Sequence, residues 1–299
     1  MIKKIFFSIL LILALASPLK MSAVGLFTYP SPPDSMQAFQ PRCDYIISRF
    51  WERCNFEQAM RHPDEFNTAF GDWMHIMPHA SADTVHASID HLLARFAKKG
   101  GAETLALAKM AEAWVYSDTA QLRSEEIVYP FVKAAAHHKK INKEERAHFQ
   151  QLEKRLDASM VGSTVPDLEF VRADGTKGKL SEVTRGSVLL IFTDPDDAGC
   201  SIARIRFDTD PNTRALIERG ELSVVNIYPG APTESWTKSA KDYPANWQNV
   251  AIADAYDYFE KGQMPMLYFL DSKRKVLAKE LTVDYLLGAF RVTNESRKK

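Results

Sequence analysis

The stretch that most constrains the fold is Val188 to Phe207, VLLIFTDPDDAGCSIARIRF. Val188 to Phe192 is an uninterrupted apolar run of strand length, the pattern of a strand buried on both faces rather than one. A short polar turn follows, and then a segment of helical spacing. In a strand-turn-helix unit of this kind, chemistry tends to sit in the turn, because the first N–H groups of the helix point into the crevice beyond the carboxyl end of the strand. Here the turn carries Cys200, the only cysteine in the second half of the chain. Asp197, three residues earlier, is a favoured helix N-cap, and its charge suits the positive end of the helix.

Strand, turn and a cysteine opening the next helix resemble the thioredoxin-like family, in which the turn carries C-x-x-C. This chain has Asp197-Ala198-Gly199-Cys200, so Asp197 stands where the resemblance places the exposed attacking thiol and Cys200 where it places the shielded resolving one. A carboxylate cannot attack a disulfide as a thiolate does, and a lone Cys200 cannot close a disulfide within the motif. The nearby charge of Asp197 raises the thiol pKa. Residues 162–299 contain no histidine that could serve as a base. The resemblance continues in VGSTVPDLEFVRADGTKGKLSEV, similar to the entry of exported thioredoxin-like and peroxiredoxin-like domains. It continues again in Gln263-Met264-Pro265-Met266, where the family places a cis-proline before a strand and facing the helix N-terminus. A cis Met264-Pro265 bond is therefore expected, with Met264, Pro265 and Asp197 as binding residues and Cys200 as the candidate catalytic one.

The rest of this half fits a central mixed sheet with flanking helices. Asp210 caps a restarted helix with Pro211 at its first position, and Gly220 ends it. Leu222 to Tyr228 is a second buried strand, Asn246 to Ala253 holds a short third one, and Lys275 to Leu281 completes an antiparallel hairpin. Glu234 to Tyr243 and Val283 to Phe290 read as helices.

The first half carries helical periodicity and turn signals without strand alternation. Helices are expected over Cys43 to Phe56, Asp64 to Met77, Ala82 to Lys99 behind Ser81, Ala102 to Tyr116, Ser124 to His138 and Lys143 to Ala158, the last with a capping-box start at Asn142 and Glu145. The stretches YIISRFWERCNFEQ, HPDEFNTAFGDWMHIMPH and WVYSDTAQLRSEEIVYPFV are similar to an uncharacterised helical domain that precedes thioredoxin-like domains in exported proteins of Gram-negative bacteria. Tyr45, Phe50, Trp51, Phe56, Trp73 and Tyr129 are read as core and inter-helix packing. All eight histidines lie between His62 and His148. Pro78 breaks the turn between His75 and His79, His86 and His91 point to different faces, and no HExxH accompanies them, so no metal site is expected.

At the start, Lys3 and Lys4, the apolar Ile5 to Ala16 and small residues at Ala14 to Ala16 or Ser22 and Ala23 read as an export signal. The apolar run is shorter than the ~20 residues of a membrane span. The expected layout is a signal peptide at 1–25, a proline-rich extended lead-in at 26–40, a helical domain at 41–160 and a thioredoxin-like α/β domain at 161–295, in the periplasm. Thirty-eight basic residues against thirty-eight acidic ones leave no basic footprint for nucleic acid. Cys43 and Cys54, eleven positions apart, would be ~16 Å apart along one helix. That exceeds the about 4.4–6.8 Å of a disulfide. Both are expected as free thiols, a Cys200 bridge to either being the alternative. No cofactor is called for. Two functions remain open: a binding or scaffolding module for exported polypeptide or glycan-associated partners without dithiol turnover, or a monothiol exchanging with thiol-containing partners through Cys200.

Overall fold

The computed structural model describes residues 26–97, 100–116 and 124–297. The expected export signal at 1–25 lies outside the described residues. The chain divides into two compact units, residues 1–124 and 125–299. Among the described residues no helix is long and apolar enough to cross a membrane.

In the first unit, α1 (Phe39–Arg49) begins inside the segment expected to be extended, with Pro41 in its first turn, where a missing N–H costs nothing. The helix expected from Cys43 to Phe56 is interrupted: α1 ends at Arg49 and α2 (Phe56–Ala59) starts anew. The break has a local cause, since Asn55 Oδ1 accepts from the N–H groups of Glu57 and Gln58 at 3.1 and 3.3 Å. Then come α3 (Pro63–Ile76), a 3₁₀ turn (Met77–His79), α4 (Ala82–Ala97) and α5 (Gly101–Tyr116). Trp51 is the hub of the aromatic core, its ring centroid 4.9 to 6.0 Å from those of Phe50, Phe56, Phe66 and Trp73. Phe27, in the lead-in, is buried against Phe50 and Trp51. Tyr45 is half-buried beneath the Arg49 guanidinium. Cys43 and Cys54 are buried free thiols, as is Cys200 of the other unit.

The second unit opens with two helices, α6 (Glu125–His137) and α7 (Lys143–Ser159), the latter capped by Asn142 Oδ1 at 2.9 Å from Glu145 N–H. Tyr129 joins them through its hydroxyl, which donates to Asp157 at 2.5 Å. The sheet follows: β1 (Glu169–Arg172), β2 (Lys177–Lys179), β3 (Ser187–Phe192), β4 (Leu222–Tyr228), β5 (Gln248–Ala251), β6 (Met266–Leu270) and β7 (Val276–Lys279), in spatial order β2-β1-β5-β4-β3-β6-β7. It is mixed: β3, β4 and β5 run parallel, while β6 lies antiparallel to β3, β7 to β6, β1 to β5 and β2 to β1.

The apolar run of β3 is explained by its central place. Val188, Leu190 and Phe192 enter one core with Val225, Ile227, Phe259 and Tyr268, and Leu189 and Ile191 enter the other with Val224 and Leu267. The second core is closed by α9 (Ala198–Thr209), α10 (Pro211–Glu218) and α12 (Val283–Ser296) through Phe207, Leu216, Leu286 and Phe290. The short helices α8 (Leu180–Val183) and α11 (Glu234–Ser239) lie in the connections before β3 and before β5. On the other side α7 engages the loop after β5: Lys154 Nζ lies 3.1 Å from Asp257 and 4.1 Å above the Tyr258 ring. α6 is tied to β7 by Glu125 and Lys279, 2.5 Å apart with both side chains only 10% exposed. Gly186, at φ +62°, turns the chain into β3 where a Cβ would lie 2.4 Å from the Glu221 carbonyl oxygen, so only glycine fits.

Candidate functional site

β3 delivers the chain to the carboxyl edge of the sheet, and its pairing runs one step beyond its end, where Thr193 N–H donates to the Ile227 carbonyl at 2.9 Å. The turn is built by its own acids. Asp194 Oδ1 accepts from Asp196 N–H at 3.0 Å, and Asp197 N–H donates to the Asp194 carbonyl at 3.2 Å. Asp197 then caps α9: its backbone is extended, and Oδ1 accepts from Cys200 N–H at 2.8 Å. A capping carboxylate at the positive end of a helix stabilises it by about 1 kcal/mol.

Cys200, in the first turn of α9, is 1% exposed. Its Sγ accepts from the Asp194 N–H at 3.4 Å. The thiol is pushed up to about 12, chiefly by burial; the Asp194 amide opposes this, and the neighbouring Asp197 and Asp194 carboxylates add to the rise. Charge on the sulfur is thus disfavoured by both desolvation and like charge.

The Met264-Pro265 peptide is cis. It faces the same turn: a Cβ placed on Gly199 would lie 3.0 Å from Asp197 Oδ1, 3.7 Å from Pro265 Cδ and 3.8 Å from the Met264 carbonyl oxygen. The structure therefore brings Asp197 and Cys200 together with Met264 and Pro265, more than sixty residues further along the chain, at one end of α9.

A chain of polar side chains runs beneath this turn, and the sequence reading missed it. Tyr243 hydroxyl donates to Thr193 Oγ1 at 3.4 Å, and Thr193 Oγ1 donates to Asn226 Oδ1 at 2.9 Å. Asn226 Nδ2 donates to Asn249 Oδ1 at 2.7 Å, and Asn249 Nδ2 to the Ala240 carbonyl at 3.3 Å. Burial raises the Tyr243 hydroxyl pKa, with the Cys200 sulfur contributing. The signal was present: Asn226 interrupts the apolar strand LSVVNIY, and a buried amide demands partners. None of these groups is a base near its working range, so the site offers shape, amide dipoles and carboxylates more readily than proton transfer. Among the described residues no group of three or more His, Cys, Asp or Glu side chains is placed to hold a metal. His75 and His137 instead bond the Gly71 carbonyl and Glu153.

A family model described as "Domain of unknown function (DUF5106)" matches residues 16–157. No curated protein matches the chain. Among solved structures, a thioredoxin-like protein from Bacteroides caccae ATCC 43185 is 21% identical, with 90% of this chain and 99% of that one covered and a TM-score of 0.69. The C-terminal domain of an uncharacterized protein from Bacteroides fragilis NCTC 9343 is also 21% identical, covering 45% of this chain and 99% of its own, at a TM-score of 0.42. The thioredoxin domain of a thiol-disulfide oxidoreductase from Bacteroides vulgatus is 20% identical, covering 44% and 96%, at 0.37. The chain has a thioredoxin-like fold: a helical N-terminal region followed by a mixed α/β sheet domain.

Proposed function

We propose that the sheet-bearing unit is an exported, periplasmic binding module that engages polypeptide partners at the crevice between the α9 N-terminus and Pro265, without dithiol redox turnover. Asp197, Met264 and Pro265 supply the binding edge, and Cys200 lies beneath it. The observation that carries this reading is the burial of the Cys200 sulfur under the Asp194 amide, behind a turn whose leading position is taken by a helix-capping carboxylate. A dithiol cycle needs two thiols that alternate between attack and resolution. Asp197 is already engaged in holding the helix, and residues 162–299 contain no second cysteine.

Monothiol exchange through Cys200 is the second reading. One feature favours it, the Asp194 N–H aimed at the sulfur, which would help a thiolate. Burial outweighs that help. The two separate in an insulin-reduction assay coupled to dithiothreitol. The binding-module reading expects wild-type protein to match the uncatalysed background and Asp197→Cys to gain measurable reductase activity. Wild-type turnover equal to that of the variant would refute it, and recovery of Cys200 in a mixed disulfide from cells would establish the monothiol.

A further inference from the structure

Beyond the turn, α9 presents two large aliphatic side chains to water. Ile202 is 59% and Ile205 53% exposed, three residues apart and so on one face, while Ala203 and Phe207 of the same helix are buried. The cations of α9 are engaged elsewhere: Arg206 donates to Asp284, and Arg204 donates to the Asp242 carbonyl and lies 5.2 Å from the Tyr243 ring centroid. Lys261, on the loop before Pro265, sits 5.0 Å above the Tyr256 ring. The carboxylates at the head of α9 have no such counter-charge. Asp194 and Asp196 are exposed, and the three acids of the turn accept only from the Asp196 amide, the Ser235 hydroxyl and the Cys200 amide; none has an ion-pair partner among the described residues. Exposed isoleucines thus share one helix with exposed carboxylates at its head, which have no ion-pair partner among the described residues.

We propose that the exposed face of α9, Ile202 and Ile205 with Asp194 and Asp196 at its head, docks an extended polypeptide segment in which apolar residues lie close to a lysine or arginine. This rests on the polypeptide-binding reading above and adds the chemistry of the partner. Charge complementarity chooses the occupant, because a segment of acidic character would meet like charge at the head of the helix. The spacing follows from helix and strand geometry. Ile202 lies five residues into α9 from its cap, ~7.5 Å along the axis. An extended chain advances ~3.3 Å per residue. The cation therefore falls about two residues from the first apolar anchor, and a second anchor one or two residues further on meets Ile205.

The test uses the full-length protein and three labelled, cysteine-free peptides read by fluorescence anisotropy: one with lysines two residues from a leucine pair, one with glutamates at the lysine positions, and one with the lysines retained and the leucines replaced by serine. At low ionic strength the lysine-leucine peptide is expected to bind about tenfold more tightly than its glutamate counterpart, and the gap to close in high salt as exposed charges are screened. Asp194→Asn with Asp196→Asn should remove the preference while leaving leucine-dependent binding. Ile202→Ser with Ile205→Ser should weaken the lysine-leucine peptide to the level of the serine one. All four positions are on the surface, and circular dichroism of each variant confirms folding. Equal affinity for lysine and glutamate peptides overturns the charge selection and leaves polypeptide binding standing. Binding untouched by the isoleucine changes, or absent for all peptides, overturns the docking face. Redox turnover by the wild-type protein is a separate result, read in the insulin assay, and would overturn the functional reading instead.

Discussion

Replacing Lys279 by methionine tests whether α6 is an integral layer of the sheet unit. Glu125 and Lys279 approach to 2.5 Å with both side chains 10% exposed. The ammonium is out of line for a hydrogen bond and Glu125 Oε2 has none, so the contact is mainly charge against charge. Around it stand Glu260, Glu280 and Arg155, with Arg155 Nε also buried without a hydrogen bond. Burial raises the Glu260 pKa first, and the Glu125 charge adds to the effect, which marks a neighbourhood already hostile to negative charge. Lys279→Met leaves Glu125 buried beside two other acids, and removing one member of a buried pair costs about 3–5 kcal/mol. That is a large share of a domain's usual 5–15 kcal/mol, and at a slope of about 2 kcal/mol per molar it moves a urea midpoint by roughly 2 M. The companion variant Glu125→Leu with Lys279→Met should recover most of the loss, because apolar replacement of a whole buried pair is often neutral or stabilising. Hydrogen exchange of the β6 and β7 amides in urea reads this unit alone. A single variant within about 1 kcal/mol of wild type, or a double variant as unstable as the single one, would refute the reasoning and detach α6 from the sheet.

Three further outcomes are expected. With its thiol buried and pushed up to about 12, Cys200 at neutral pH holds far less thiolate than an unperturbed cysteine at ~8.5, so iodoacetamide should label it only after denaturation; rapid native labelling near pH 6 would contradict its burial. Cys200 and Cys54 both have raised pKa values, chiefly through burial. The unfolded chain therefore releases these protons first, and the stability they contribute is complete below about pH 8.5 and lost as pH climbs through about 12, which a series of alkaline melting curves measures. Asn226→Leu strands both Thr193 and Asn249 and should cost about 1–3 kcal/mol, a drop that thermal melting would detect.

The central strands were legible because burial on both faces writes itself as an unbroken apolar run. β4 falls on Leu222 to Tyr228 as read, and β3 begins one residue earlier than Val188. Local chemistry was legible too, since Asp197, Asp210 and Asn142 cap the helices that their side chains announce. The α1 break was readable in principle from Asn55, but helical spacing continued past it and masked the cap. The ion-pair partners of α6 and α7 could not be read from periodicity. Amphipathic periodicity says that a helix has a buried face and not what buries it, and the partners that answer that question, Asp257 and Lys279, lie about a hundred residues or more downstream. The polar chain under Cys200 was hidden for the same reason: only Asn226 stands out in sequence, while Asn249 meets it through sheet pairing, Thr193 lies just past β3, and Tyr243 reaches in from the connection before β5.

The Glu125 and Lys279 pair also sets an order of events during synthesis. Glu125 leaves the ribosome 154 residues ahead of its partner. At about 5–20 residues per second that is an interval of roughly 8–30 s, during which α6 has no β7 to lie against. Its carboxylate stays hydrated through that time, although the apolar stripe of Ile127, Val128, Phe131 and Val132 belongs to a helix that packs on α7, made only a short stretch later. The helix pair can therefore form first, and the buried charge pair that fastens α6 to the sheet is completed only when β7 arrives.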